Sequence, residues 1–341
     1  MRASKILLFP YWLTLKIRHR RYDRGRNRSY PFEVPVLCVG NVAVGGTGKT
    51  PMTEYLIEQL SPGRRIAVLS LGYKRLSRGF RMVEVDSTAE ASGDEPLQIK
   101  RKYPEVIVAV DRNRKRGIET LLALPHPPQL ILLDDGLQRR EIRPTKSLCL
   151  VDSARLPFGD ELLPLGRLRD LPERALAADA VVFTRCQEWI DEADRARLRA
   201  GMHLPEGHPA FFTRVDYGEP KAVFEGIGNN RYIYAQEAIL VAGVAHPEGM
   251  FSCLADRYEY VGKHTFADHH YFTRSDIRQL AREARRYPLS VVMTTEKDAQ
   301  RLLHNRFIPD WLKERLYYLP IRTAFLTVEE ERAFRDFLSG I

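Results

Sequence analysis

Among its 341 residues the chain has no run of 18 apolar side chains, so no segment is hydrophobic enough to cross a bilayer unaided. The four cysteines (Cys38, Cys149, Cys186 and Cys253) are far apart and form no CxxC pair. A zinc site or disulfide framework is therefore not expected, and a reducing cytoplasm is the natural compartment. No repeat of 20 to 50 residues recurs, which argues against a solenoid. Acidic residues are nearly absent from the beginning: up to Arg28, nine Lys or Arg side chains face only Asp23. What is present is 44% apolar residues, enough for a sizeable core, and 28% charged residues with a net charge of +9. A basic surplus of this kind suits anionic lipid, nucleic acid or a phosphorylated substrate.

The basic excess follows a short apolar run, Ile6 to Leu15, reading ILLFPYWLTL. Ten residues containing Pro10 are too few to span, and no small-residue cleavage site follows, so a secretory signal fits poorly. Two readings remain. The segment is an interfacial anchor, with Tyr11 and Trp12 at headgroup level and the Arg/Lys run on anionic phosphates, or it is a helix docked on the protein's own core. The aromatics abutting the basic run favour the anchor, which we assign to residues 1–30.

Beyond Pro35, short β-rich runs alternate with helical stretches, the pattern of a parallel sheet covered by helices on both faces. The runs are 36–39, 66–69, 106–110, 130–133, 148–151 and 181–183, with helices predicted over 52–60 and 114–124. A second series (239–244, 290–293, 317–319) lies beyond a Gly/Pro-rich stretch at 205–230. The expected fold is a P-loop NTPase-type α/β domain over 31–215 and a smaller α/β domain over 216–325. A last helix within 326–341 returns to the first domain.

After the first strand stands Ala43-Val44-Gly45-Gly46-Thr47-Gly48-Lys49-Thr50, leading into a helix. Glycines allow consecutive backbone N–H groups to turn inward around a phosphate, and the helix N-terminus adds its positive end. Lys49 then reaches the β- and γ-phosphates, and Thr50 ligates Mg²⁺. The strand Leu130 to Leu133 ends in Asp134 and Asp135, carboxylates placed for the Mg²⁺ shell. Val44 stands where partitioning-type ATPases carry lysine, and Thr295-Glu296-Lys297-Asp298 lacks the spacing of a guanine-reading motif. ATP is the expected nucleotide.

The segments GNVAVGGTGKTP (40–51), LSLGY (69–73), GDEP (93–96), DR (111–112), LDDGLQ (133–138), LLPLGRLRD (162–170), AGVAHP (242–247), FADHH (266–270) and TTEKDA (294–299) occur in this order. The chain thereby resembles the tetraacyldisaccharide 4'-kinases, which phosphorylate a glycolipid in lipid A biosynthesis. The resemblance implies ATP with Mg²⁺, a glycolipid acceptor and no nucleic-acid partner. It also implies work at the cytoplasmic face of the bacterial inner membrane.

Read locally, Asp94 before Glu95-Pro96 is a helix N-cap, and His269 precedes a capping box formed by Thr273 and Asp276. The resemblance instead implies that they form a dyad at the acceptor hydroxyl, with Asp94 taking its proton and His269 orienting Asp94. It further implies that Asp170 joins the metal shell. Leu71, Arg139 and Asp170 depart from the family, which usually has Arg, His and Glu there. Without the resemblance, the alternative is a P-loop ATPase switch in membrane targeting or metallocentre assembly. GDEP and FADHH have no obvious role in such a switch.

Overall fold

A computed structural model describes residues 3–227 and 234–341. Two sheets organise it. The first has nine strands in the order β14-β8-β7-β6-β1-β5-β2-β4-β3. These are β1 (Val36–Gly40), β2 (Ile66–Ser70), β3 (Arg81–Met82), β4 (Ile107–Val110), β5 (Leu130–Asp134), β6 (Lys146–Asp152), β7 (Ala180–Thr184), β8 (Ala210–Tyr217) and β14 (Ile321–Phe325). Every residue of β1, β2, β5 and β7 is buried. Such continuous apolar strands are what a parallel sheet covered on both faces demands. The cover is α1 (Ala3–Asp23), α2 (Lys49–Leu60), α3 (Ala89–Ser92), α4 (Asp94–Lys102), α5 (Arg114–Leu122), α6 (Glu192–Gly201) and, from the far end of the chain, α11 (Val328–Leu338).

The second sheet has the order β11-β10-β12-β13-β9. It comprises β9 (Lys221–Ala222), β10 (Glu237–Ala242), β11 (Glu259–Thr265), β12 (Val291–Thr295) and β13 (Leu316–Leu319), with α7 (Glu248–Ala255), α8 (Arg274–Arg286), α9 (Glu296–Leu302) and α10 (Asp310–Lys313). α8 begins with the Thr273–Asp276 capping box.

The Gly/Pro-rich stretch proposed as a boundary contains a strand. β8 lies beside β7 in the first sheet, and β14 pairs antiparallel with it from Ile321↔Tyr217 to Phe325↔Thr213. The expected limits at 215 and 325 therefore need correcting: the first sheet keeps the chain to Tyr217 and takes it back at Ile321. The antiparallel pair carries the chain out to the second unit and home again. Residues 228–230 of that stretch lie outside the described part.

Register places the chemistry. Val39 pairs with Asp134, so the phosphate loop after β1 and the carboxylates ending β5 share one sheet edge. In the second sheet Val241 pairs with Thr294, and Ala242 with Thr265, which gathers three further loops at the carboxyl edge. Ligand sites of α/β sheets form at such edges.

α1 docks on the first domain through one face, as the second of the two readings expects. Leu8, Leu15 and His19 are buried, and Trp12 packs against the same core cluster, a spacing of one helical face. Tyr11 Oη donates to the Arg169 carbonyl at 2.9 Å, and Arg18 Nη2 donates to the Gln138 carbonyl at 2.6 Å. The other face leaves Phe9, Leu13 and Ile17 exposed, four residues apart. Residues 1–2 and the side chains of Ile6 and Leu7 lie outside the described part. Among the described residues no helix is long and apolar enough to cross a membrane.

Candidate active site

Between the two sheets lies a cavity of about 390 Å³, walled by the phosphate loop, the ends of β5 and β12, and the loops after β10 and β11. The loop from Ala43 to Gly48 is pinned from within. Asn41 Nδ2 donates to Thr47 Oγ1 at 2.6 Å, and Thr184 Oγ1 donates to the Thr47 carbonyl at 3.1 Å. Gly45 sits at φ +105°, a backbone conformation that strains any residue bearing a Cβ. Gly48 at φ +79° then starts α2, whose first residues are Lys49 and Thr50.

Lys49 Nζ stands 3.9 Å from Asp135 Oδ1. Arg169 grips Asp135 through both of its terminal nitrogens, Nη1 at 2.7 Å from Oδ2. Burial alone would raise the Asp135 pKa, but Lys49 and Arg169 bring it down to about 2. Its neighbour behaves oppositely. Asp134 is pushed up to about 6 by burial, with Glu95 and Asp135 adding like charge. Its one side-chain hydrogen bond comes from Ser70 Oγ at 2.9 Å. The two expected metal carboxylates are thus unequal: Asp135 is bonded by Arg169 and held low, while at Asp134 burial and like charge outweigh the pull of Lys49.

The expected metal role of Asp170 needs correction. Its Oδ1 lies 2.6 Å from His19 Nε2 and accepts the Leu171 N–H at 2.8 Å, and it is not part of the cavity wall. The carboxylate ties α1 to the first domain. Leu71, in contrast, does line the cavity.

Asp94 and His269 come together from different sheets. His269 Nδ1 is 3.0 Å from Asp94 Oδ2, and the same oxygen accepts from Arg301 Nε at 3.1 Å and from Arg301 Nη2. Burial would raise the Asp94 pKa. The hydrogen bond from His269 and the charges of Lys297 and Arg301 overcome it and hold the carboxyl far below the usual range. His269, at φ +60°, forms part of the cavity wall, and Asp94 stands behind it.

Sequence reading gave Lys297 no definite part and missed Arg301. The two lie on successive turns of α9, which Thr295 caps by accepting the N–H of Asp298 between them. Arg301 Nη1 donates to Asp298 Oδ1 at 2.6 Å and to the Gly243 carbonyl at 3.2 Å, while the Gly243 N–H donates to Asp298 Oδ2 at 2.8 Å. A Cβ at Gly243 would press on Asp298 at 3.1 Å and His270 at 3.4 Å, so AGVAHP, FADHH and TTEKDA interlock at this glycine. The i, i+4 spacing of Lys297 and Arg301 was the available signal.

Among the described residues no group of three or more His, Cys, Asp or Glu side chains encloses a metal on its own. Any cation here would share its shell with a phosphate and water, as Mg²⁺ commonly does.

A family model for tetraacyldisaccharide-1-P 4'-kinase matches residues 4–340. The chain belongs to that family. Within it, the chain is 38% identical to the tetraacyldisaccharide 4'-kinase of Parabacteroides distasonis, over 97% of this chain and 91% of the relative. It is likewise 38% identical to the enzyme of that name from Flavobacterium johnsoniae, over 97% and 95%. The solved structure of LpxK from Aquifex aeolicus in complex with ATP shares the fold at a TM-score of 0.73 and 25% identity, covering 99% of both chains.

Proposed function

We propose that this family member binds ATP with Mg²⁺ between its two sheets and transfers the γ-phosphate to a glycolipid. The acceptor is the 4'-hydroxyl of a tetraacylated glucosamine disaccharide 1-phosphate. One observation carries the reading: a single cavity wall unites the phosphate loop, Lys49, Thr50 and Asp134 from one sheet with His269, backed by Asp94, from the other. The names of the relatives support the same substrate, and the ATP held by the Aquifex aeolicus protein supports the nucleotide.

Asp134 and the Thr50 hydroxyl fit Mg²⁺, because a buried carboxylate with one hydrogen bond gains most from a hard cation. Bound there, the ion would neutralise charge on the β- and γ-phosphates. Asp135 holds Lys49 and Arg169 at the cavity wall. Lys49 answers charge developing on the transferred group, and the glycine loop cradles the β-phosphate with backbone N–H groups. The hydroxyl oxygen forms its bond to phosphorus as the β–γ bridge breaks, and its proton passes to the Asp94–His269 pair acting as a unit. Closure of the second unit over the first keeps out water that would otherwise hydrolyse ATP.

We place this chemistry at the cytoplasmic face of the inner membrane. The exposed Phe9, Leu13 and Ile17 stripe of α1, with Arg20, Arg21 and Arg24 also exposed, supplies a hydrophobic and an electrostatic signal.

Transfer of ³²P from γ-labelled ATP to the purified disaccharide lipid tests the reading. A labelled lipid product is expected; ATP hydrolysis without one would favour the ATPase switch. Reversing Arg20, Arg21 and Arg24 to Glu should release the protein from anionic liposomes while turnover on detergent-dispersed lipid persists. Unchanged co-sedimentation would overturn the membrane placement.

A further inference from the structure

Both ring nitrogens of His269 have partners, and those partners decide where its proton sits. Nδ1 lies 3.0 Å from Asp94 Oδ2, a carboxylate that can only accept. Nε2 lies 3.0 Å from Lys297 Nζ, and an ammonium has three donors and no acceptor. The arrangement is satisfied only when Nδ1 carries the hydrogen and Nε2 offers its lone pair. A second proton would set an N–H against the ammonium. Arg301 Nη2, 3.4 Å from Nδ1, gives its own hydrogen bond to Asp94.

We propose that Lys297 is a positioning residue that keeps the His269 imidazole neutral, with its proton on Nδ1 and a lone pair on Nε2. The need for it follows from the other charges facing the ring. Asp94 stands on one side and Asp268 Oδ2 lies 3.8 Å from Nε2 on the other. A histidine between two carboxylates favours the imidazolium. Arg301 offsets the first, and the Tyr73 ring, 4.9 Å away, adds no charge. Lys297 offsets the second.

The lysine is itself built to stay charged and in place. Its ammonium binds Glu95 Oε1 at 2.9 Å and lies 3.6 Å from Asp268 Oδ1. Burial would discharge it, but Glu95, Asp94 and Asp268 keep its pKa above the ordinary value. Glu95 and Asp268 also give it somewhere to remain when an acceptor hydroxyl takes its place at Nε2.

The consequence for turnover rests on the kinase reading, whereas the protonation state does not. A carboxylate with a neutral imidazole has room for the one proton that leaves the acceptor hydroxyl as oxygen bonds to phosphorus. A carboxylate with an imidazolium has already taken it.

Long-range ¹H–¹⁵N spectra of the full-length protein with labelled histidine, assigned through His269→Gln, read the tautomer directly. At pH 7 the wild type should show His269 neutral with Nδ1–H. Lys297→Met should show it doubly protonated, with kcat down about tenfold or more and largely recovered at pH 9. Lys297→Arg keeps the charge and should stay within about threefold of wild type, and its intact spectrum guards against loss of fold. An Nε2–H tautomer in the wild type would overturn the proposal. So would a loss in Lys297→Met that is the same at both pH values with histidine signals unchanged. Failure of the wild type to label the lipid would defeat the kinase reading and leave the spectroscopic result standing.

Discussion

Asp134 lines the cavity from the end of β5, Asp94 stands behind its His269 wall at the start of α4, and both are almost completely buried. Their neighbours send them in opposite directions. Asp134, raised first by burial and then by Glu95 and Asp135, binds its proton more tightly than a free carboxylate, while Asp94, held by His269, Lys297 and Arg301, binds it far less tightly. Burial acts alike on both; the hydrogen bonds and charges around each decide whether it is overcome. At Asp134 burial and like charge outweigh Lys49, which suits an incoming cation. Asp94 has its cations built in.

The largest expected effects test whether both carboxylates serve one reaction. Lys49→Ala should lower kcat/KM on the order of 10²-fold or more with the fold intact, since it removes the charge meant for the phosphates. Asp94→Asn and His269→Ala should each lower kcat, and the double variant should be far less impaired than the product of the two, because a pair acting as a unit is lost once. Fully multiplicative losses would separate the residues.

The same contrast should appear in thermal stability, with opposite signs. Asp94→Asn removes the buried counter-charge that Arg301 shares with Asp298 and should cost about 3 kcal/mol. Asp134→Asn removes a carboxylate whose ionisation is opposed by the fold and should stabilise the ligand-free protein by about 2–3 kcal/mol at neutral pH. Melting curves of the two variants decide it, and a shift of the same sign in both would contradict the electrostatic account.

The pH dependence sharpens this further. The Asp134 pKa is raised from 3.8 to about 6, so its contribution to stability is full below pH 3.8 and is lost as pH rises through about 6. For Asp94 the pKa is lowered, so its contribution is present above pH 3.8 and is lost only well below it. Mg²⁺ needs Asp134 ionised. Its affinity, followed by titration with ATP present, should therefore fall towards tenfold per pH unit below about pH 6.

The smallest effect on the chemistry is expected at Asp170. Asp170→Ala should leave ATP affinity unchanged and loosen α1 instead, raising the KM for lipid in vesicles more than for lipid in detergent. A loss of Mg²⁺ affinity would return Asp170 to the metal shell.

The phosphate loop was legible in the sequence because its chemistry is local: eight consecutive residues between a strand and a helix. Asp134 was legible for the same reason, as the end of a short apolar strand. The partners of Asp94 were not, because Arg301 lies 207 positions away and its helix shows only a charged face. Asp170 misled because the resemblance alone put it in the metal shell, and its partner His19 is found only across the fold. The strands β8 and β14 were hidden differently. β8 sits within a stretch whose glycines and prolines marked a boundary, and β14 pairs only with it. The docked face of α1 was not legible because Leu8, Leu15 and His19 meet partners far along the chain.

The return of the chain to the first sheet also sets an order of assembly. α2, which begins with Lys49, packs its Tyr55 ring against Phe325 and Phe334, and Tyr55 Oη donates to Glu331 Oε1 at 3.0 Å. The nucleotide helix is therefore clamped by residues that are made only after the whole second unit. Until they arrive, β8 is an open edge and the apolar side of α2 is uncovered, a state that favours misassembly in a growing chain. Synthesis of the second unit delays completion of the first, so no nascent chain carries a finished phosphate site before both units have emerged.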